Sequence, residues 1–169
     1  MRKRNLLVFL LLTGVWPVTG LSAQDAWKIT AGQIEPPSYY GITVANGMLG
    51  LVSSPEPLKI SRVVLGGLYD IYGKGRVNNF LHGINMLDTE LQINGSTVTA
   101  SRISGYKQTL DMRRGVFCGE FDYKSLARVE YQYTSLRHLP YSCLLRVQII
   151  PKENIEVSVA NIMMVHESL

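Results

Sequence analysis

The sequence has few of the residues, and none of the motifs, that mark common catalytic centres. Its 169 residues include two cysteines and three histidines, and it contains neither a Gly-x-Ser-x-Gly element nor a glycine-rich phosphate loop. His82, His138 and His166 are scattered and do not stand at metal-ligand spacing with cysteines or carboxylates. We therefore predict no catalytic residue, no metal site and no cofactor in this chain.

Positive charge is scarce once the first 24 residues are set aside. Three basic residues at positions 2–4 precede the apolar run Leu6–Leu12, and small residues near Ala23 offer a cleavage site, which is the pattern of a secretory signal peptide. An uncleaved anchor is disfavoured, because the run is shorter than the ~20 residues of a membrane span. Without this leader, 14 Lys and Arg stand against 13 Asp and Glu, so no basic stripe remains for a nucleic acid. We predict a signal peptide at 1–24, export to a bacterial periplasm or medium, and no membrane association after cleavage.

Helical periodicity is also missing. No long segment repeats apolar residues every 3.6 positions, whereas several segments alternate apolar and polar residues. Asn94-Gly95 follows one of them, and this dipeptide favours a tight hairpin turn. The pattern predicts an all-β antiparallel sandwich over residues 25–169. The predicted strands are Ile60–Leu65, Leu87–Ile93, Ser96–Ala100, Val116–Tyr123, Ala127–Thr134, Tyr141–Ile150 and Ile155–Ala160.

The alternation also assigns side chains to faces. Phe117, Phe121 and Tyr123 share one face of their strand, and Tyr131 and Tyr133 share a face of the next. We interpret most of the tyrosines as core and cross-strand packing rather than as platforms for a ligand.

Cys118 and Cys143 leave two possibilities open. In an exported chain they could form a disulfide. The interpretation we favour is two buried free thiols on separate strands, because cysteine packs as a small hydrophobic residue.

Paired carboxylates are the remaining candidates for acid–base chemistry. Asp88 and Glu90 share one strand face, and Glu120 and Asp122 share another. Both pairs alternate with apolar positions, which is typical of a solvent-facing sheet surface. We therefore predict surface positions for all four rather than a catalytic role.

Six short blocks, taken in order, resemble segments of glycoside hydrolase family 65, which includes maltose, trehalose and kojibiose phosphorylases. In the Tyr106–Gly115 block, we interpret Asp111, Arg113 and Arg114 as a turn that leads into the strand at Val116. The blocks are Ile42–Gly50, Gly66–Asp70, Leu91–Gly95, Tyr106–Gly115, Ser135–Leu139 and Leu145–Pro151.

The resemblance implies the family's N-terminal super-sandwich, incomplete at its C-terminal end. In the family an (α/α)6 barrel follows and carries the general-acid Glu. The resemblance therefore implies a chain that is inactive alone, that reaches α-linked glucosides through the missing barrel, and whose parent enzyme can form a homodimer. Tyr69 and Asp70 are the expected substrate contacts. Export favours hydrolysis over phosphorolysis, since a sugar phosphate is useful mainly inside the cell. A free-standing carbohydrate-binding module and a non-functional gene fragment stay open as alternatives.

Overall fold

The computed structural model describes residues 26–70, 79–82 and 85–164. The predicted signal peptide and the segment from residue 165 onwards lie outside this part of the chain, so the predicted domain boundaries stay predictions. Within the described residues, no helix is long and apolar enough to cross a membrane.

Strands make up most of the described chain, together with two single-turn 3-10 helices at Pro36–Ser38 and Ala100–Arg102. The strands are β1 (Lys28–Ala31), β2 (Thr43–Ala45), β3 (Leu49–Ser53), β4 (Ile60–Asp70), β5 (Asn79–His82), β6 (Asn85–Ile93), β7 (Ser96–Thr97), β8 (Ile103–Asp111), β9 (Val116–Tyr123), β10 (Ala127–Ser135), β11 (Cys143–Pro151) and β12 (Val157–Met164).

These strands form three antiparallel sheets. The large sheet has the order β1-β8-β9-β10-β11, the second sheet β2-β3-β4-β5 and the third sheet β12-β6-β7. Every pairing is antiparallel. One buried cluster takes side chains from all three sheets, so the large sheet packs against the other two. The predicted all-β antiparallel sandwich is confirmed.

The inner face of the large sheet is an aromatic core. Phe117, Phe121 and Tyr123 on β9 are buried, and so are Tyr131 and Tyr133 on β10, as the alternation predicted. The Phe117 and Tyr133 rings are parallel with centroids 5.9 Å apart, and Tyr131 meets Phe117 edge-on at the same distance. Each buried side chain of this size contributes about 1.5–3 kcal/mol relative to exposure. The packing role of these tyrosines is confirmed.

A glycine makes room for one of these rings. Gly119 stands directly opposite Tyr131 in the β9–β10 ladder. A Cβ placed on Gly119 would lie 2.1 Å from Cζ of Tyr131, so the ring covers the glycine backbone. Gly119 therefore allows the tyrosine hydroxyl to reach across the sheet toward β8.

A chain of buried hydrogen bonds continues from that hydroxyl. The hydroxyls of Tyr131 and Tyr106 are 2.7 Å apart, and Gln108 Nε2 donates to the Tyr106 oxygen at 2.8 Å. Gln108, which is fully buried, accepts from the Tyr39 hydroxyl, and that hydroxyl also contacts Ser53 Oγ. Burial is the main reason that the pKa of Tyr106 is raised to about 12. The chain joins β10, β8, β3 and the segment before β2.

The hairpin and the turn predicted from sequence are both present. Asn94 and Gly95 have φ angles of +50° and +70°, and they connect β6 to β7 as predicted. Residues 112–115 form the turn between β8 and β9, which confirms the interpretation of Arg113 and Arg114. The strand segments differ in length, because β4 continues to Asp70 and β7 is only two residues long.

Both cysteines are free, as favoured from sequence. They lie on opposite faces of the large sheet. Cys143 packs against the core cluster, whereas Cys118 alternates with the buried Phe117 and lies toward the outer face. Partial burial raises the pKa of both thiols.

Candidate functional site

Four segments from the resemblance blocks meet at one end of the sandwich, which we call the upper rim. It consists of the β2–β3 turn (46–48), Gly66 and Gly67 in β4, the β8–β9 turn (112–115) and the β10–β11 loop (136–142). These segments are up to about 90 residues apart in the sequence, yet hydrogen bonds connect three of them directly. The blocks therefore share a place in the fold as well as an order in the chain.

Asn46 organises the β2–β3 turn. Its Oδ1 accepts from the backbone N–H groups of Met48 at 2.9 Å and Leu49 at 2.8 Å. Its Nδ2 donates to the Leu136 carbonyl at 2.7 Å, which ties this turn to the β10–β11 loop. Gly47 has a φ of +92°, a conformation that glycine adopts without steric cost. The Asn-Gly pair is thus both a turn former and a connector.

Gly66 allows the closest backbone approach at the rim. Its N–H donates to the Met48 carbonyl at 2.7 Å. A Cβ at this position would lie 2.6 Å from the Gly47 carbonyl oxygen, so a side chain would push the two segments apart. The Tyr141 hydroxyl donates to the Gly66 carbonyl at 3.1 Å. Gly66 thereby joins β4 to both neighbouring loops.

The β8–β9 turn is held by Asp111. The Asp111 side chain is buried, and its Oδ1 accepts from the Arg114 N–H at 3.0 Å. Its carbonyl accepts from the Gly115 N–H at 2.8 Å, and Gly115 has a φ of +65°. Asp111 therefore has a structural role in shaping the turn.

The upper rim exposes positive charge. Arg113, Arg114 and Arg137 are all exposed. Within the described residues, none of these three forms an ion pair with a carboxylate. The rim can therefore offer three guanidinium groups to a carboxylate or to hydroxyl and carbonyl oxygens of a partner.

Tyr69 and Asp70, the predicted substrate contacts, continue β4 beyond this rim. Their backbones pair with Phe80 and Asn79 on β5. Their side chains lie outside the described part of the structure, so a contact with substrate stays a prediction.

Asp88 corrects the sequence-based interpretation. It was expected on a solvent-facing surface beside Glu90, but it is only 4% exposed. Its Oδ1 accepts from the Ile60 N–H and from Asn85 Nδ2, both at 3.0 Å. The carboxylate therefore satisfies a buried backbone donor at the start of β4, and it is not available to a substrate.

The carboxylates on the outer face of the large sheet are neutralised locally. Arg128 donates to Glu120 at 2.7 Å and to Glu130 at 3.1 Å. Lys152 donates to Asp122 at 2.9 Å. The predicted outward position of Glu120 and Asp122 is confirmed, with each side chain 35% exposed. These residues form a cross-strand ion-pair network on the surface.

The displaced carboxyl pKa values run against acid catalysis. Hydrogen bonds from Gln92 and Thr97 lower the pKa of Glu90, and the hydrogen bond from Lys152 lowers that of Asp122. A general acid in glycoside hydrolysis needs a raised pKa so that it holds a proton near neutral pH. Glu90 and Asp122 therefore lack this property.

Nucleophile and metal chemistry find no support in the described residues either. The raised pKa values of Cys118 and Cys143 reduce the fraction of thiolate, which is the reactive form. Across residues 26–70, 79–82 and 85–164, no three His, Cys, Asp or Glu side chains are grouped closely enough to hold a metal ion.

Exposed aromatic rings are possible platforms for sugars. Trp27, Tyr40 and Tyr141 are 55%, 93% and 49% exposed, respectively. They lie on three separate segments, before β1, before β2 and after β10, and so do not form a row on one sheet face. Tyr40 borders an open cleft of about 480 Å³ that also includes Glu35.

Comparison with known proteins connects this domain to characterised enzymes. The chain is 48% identical over 149 residues to a kojibiose hydrolase of Flavobacterium johnsoniae. It is 45% identical over 149 residues to a kojibiose hydrolase of Mucilaginibacter mallensis. Each alignment covers 88% of this chain but 22% of the relative, so the chain spans about a fifth of their length. No protein-family model matches the chain. The two relatives confirm the resemblance to glycoside hydrolase family 65.

Proposed function

We propose that this chain is a non-catalytic β-sandwich region of an exported glycoside hydrolase that acts on kojibiose or a related α-linked glucoside. The observation that carries this proposal is the 45–48% identity to two kojibiose hydrolases. Their names favour hydrolysis over phosphorolysis, as the compartment argument does. Export is supported by the signal-peptide pattern of residues 1–24.

The engaged carboxylates support a non-catalytic role. Hydrolysis of a glycosidic bond usually needs two carboxyl groups, one protonated and one ionised, on either side of the bond. In the described residues, Asp88 and Asp111 are buried acceptors of backbone N–H groups, and Glu120 and Asp122 are bound by cations. The acid and its partner would therefore come from outside this part of the protein.

The upper rim is the surface we assign to contact with the catalytic part. Its backbone is fixed by Asn46 and Gly66, while its arginines have no carboxylate partner among the described residues. A rigid rim with uncompensated guanidinium groups can hold the edge of a neighbouring pocket in place. Tyr69 and Asp70 continue from the same rim, which agrees with a position near substrate.

A chimeric enzyme tests the proposal. The segment of the Flavobacterium johnsoniae enzyme that aligns with this chain is replaced by the present sequence, and glucose release from kojibiose is measured. We expect the chimera to hydrolyse kojibiose and the 169-residue chain alone to release no glucose. Hydrolysis by the chain alone, or a folded chimera without activity, would contradict the proposal.

Rim variants in the same chimera test the assigned surface. Replacing Arg113 and Arg137 by alanine should lower kcat/KM by roughly tenfold or more, as expected when charged contacts at an interface are lost. Lys124→Ala, at the opposite end of the sandwich, is the matched control and should leave kcat/KM unchanged. Equal effects of both changes would argue against the upper rim.

A further inference from the structure

The outermost strand of the large sheet has a free edge. β11 pairs with β10 in unbroken register from Ala127 opposite Pro151 to Ser135 opposite Cys143. Within the described residues, no strand lies on its other side. The edge strands β1, β2, β5 and β7 have two to four residues each, and β12 has a register irregularity. β11 is therefore the longest regular edge in the described fold.

This edge lacks the usual protection against pairing. Natural edge strands are commonly kept single by short length, lysines, internal prolines or bulges. β11 has nine residues, no lysine, no bulge in its pairing with β10, and a proline only at its last position. Leu144 and Ile150 are 54% and 41% exposed on its outer side. Its backbone donors and acceptors are thus open to another strand.

The sequence of β11 is complementary to itself when reversed. Around Val147, the residues at equal distances on either side match in character, since Leu144 corresponds to Ile150, Leu145 to Ile149 and Arg146 to Gln148. In an antiparallel pair related by a two-fold axis, directly opposite residues lie on the same face of the sheet. Two copies would therefore place Leu144 against Ile150 outside and Leu145 against Ile149 inside.

The central polar pair fits this register as well. Arg146 of one copy would lie opposite Gln148 of the other, a donor opposite an acceptor. Within one chain Arg146 Nη2 already donates to Gln148 Oε1 at 3.4 Å, so these groups are compatible neighbours. An axis at Arg146 would instead oppose two arginines, and an axis at Gln148 would place Leu144 opposite Lys152. Side-chain character thus selects Val147.

We propose that two copies of this chain pair antiparallel along β11, about a two-fold axis at Val147, and join their large sheets into one continuous sheet. The occupant of the edge is a second copy, because the strand matches its own reverse. This pairing does not depend on the proposed enzymatic function, and the upper rim remains outside the β11 edge.

Two double variants test the register in the 169-residue chain. L144E/I150E puts like charges opposite each other at both ends of the interface, whereas L144E/I150K puts glutamate opposite lysine at both ends. All three substitutions are at exposed positions, so both proteins should fold, which circular dichroism checks. Sedimentation equilibrium should find a dimer for the unmodified chain, a dissociation constant at least about tenfold higher for L144E/I150E, and restored dimerisation for L144E/I150K.

Each outcome decides the question. Val159→Glu introduces a charge at an exposed position on β12 and should leave the dimer unchanged. A monomeric unmodified chain would overturn the proposal and leave the edge to a strand elsewhere in a longer polypeptide. A dimer that resists L144E/I150E, or that L144E/I150K fails to restore, would also overturn it. Amide hydrogen exchange gives a second measurement, because protection of the outward N–H groups of β11 should be lost on dilution.

Discussion

The two ends of the sandwich treat positive charge differently. At the upper rim, Arg113 and Arg137 are exposed and form no ion pair within the described residues. At the opposite end, the lower rim consists of the β6–β7 turn (94–95), the β9–β10 turn (124–126) and residues 152–156. There Lys152 binds Asp122, and Lys124 Nζ lies 5.2 Å from the centre of the Tyr123 ring. One end leaves its cations available, and the other satisfies them.

The way each rim is held explains this difference. The upper rim is fixed by amide and backbone hydrogen bonds around Asn46 and Gly66, so its charged side chains are not needed for its shape. The lower rim combines backbone bonds, such as that from Lys152 N to Leu126 O at 2.8 Å, with ion pairing by the same Lys152 side chain. Uncompensated charge on a rigid frame is characteristic of a surface prepared for a partner.

The strongest way to break the upper rim is Gly66→Ala. The new methyl group would meet the Gly47 carbonyl oxygen and the Met48 backbone, which cannot move aside as a flexible side chain can. We expect a loss of about 1–3 kcal/mol in the free energy of unfolding, measured by urea titration. Gly32→Ala is the control, since a Cβ there would meet nothing within 4 Å. Equal stability of the two variants would contradict the close approach.

Asn46→Ala should have the next largest effect. It removes the acceptor for the Met48 and Leu49 N–H groups and the donor to Leu136. The expected cost is about 1–2 kcal/mol, since each net hydrogen bond contributes about 1 kcal/mol and water replaces part of the loss. Asn46→Asp keeps the acceptor but loses the donor, so it should fall between the alanine variant and the unmodified chain. An aspartate variant less stable than the alanine variant would show that the Leu136 bond dominates.

The lower rim predicts a smaller, pH-dependent effect. Lys152 lowers the pKa of Asp122, so this pair stabilises the fold above the unfolded pKa of about 3.9 and loses that contribution as the pH falls through the folded pKa. Lys152→Met should therefore reduce stability at pH 7 and make little difference once Asp122 is protonated. Urea titrations at both pH values measure this. A difference that is the same at both would contradict the ion-pair explanation.

The smallest effect on stability belongs to the upper-rim arginines. Replacing Arg113, Arg114 and Arg137 together by alanine should change the free energy of unfolding by less than about 0.5 kcal/mol, because exposed positions without partners contribute little. The same change should lower kojibiose hydrolysis in the chimeric enzyme. A large loss of stability would mean that these side chains hold the rim, and the contrast between the two ends would disappear.

The sequence predicts best where one face of a strand is uniformly apolar. The start and end of β9 were predicted correctly, and β10 differs by one residue at its end, since Phe117, Phe121 and Tyr131 all face the same core. The Asn94-Gly95 hairpin was equally clear, because few dipeptides adopt its backbone angles.

Buried polar residues hide the remaining elements. β8 contains Gln108, which is fully buried because Tyr39, Tyr106 and the Ser54 carbonyl satisfy its amide. A glutamine inside the core breaks the apolar alternation, so this strand was not predicted. Asp88 failed for a related reason. Neighbouring Thr89 is buried as well, so β6 is covered on both faces and its alternation does not separate core from solvent.

The buried chain from Ser53 to Tyr131 also sets a condition on folding. Tyr39 and Gln108 are 69 positions apart, so their bond can form only after the segment before β2 has docked on the large sheet. If β8 slid by two residues, Tyr106 or Leu110 would replace Gln108 and the amide network would have no centre. A misaligned sheet would then bury unpaired polar groups, which costs more than leaving them in water. The chain of hydrogen bonds thus works as a register check that only the correctly assembled sandwich passes.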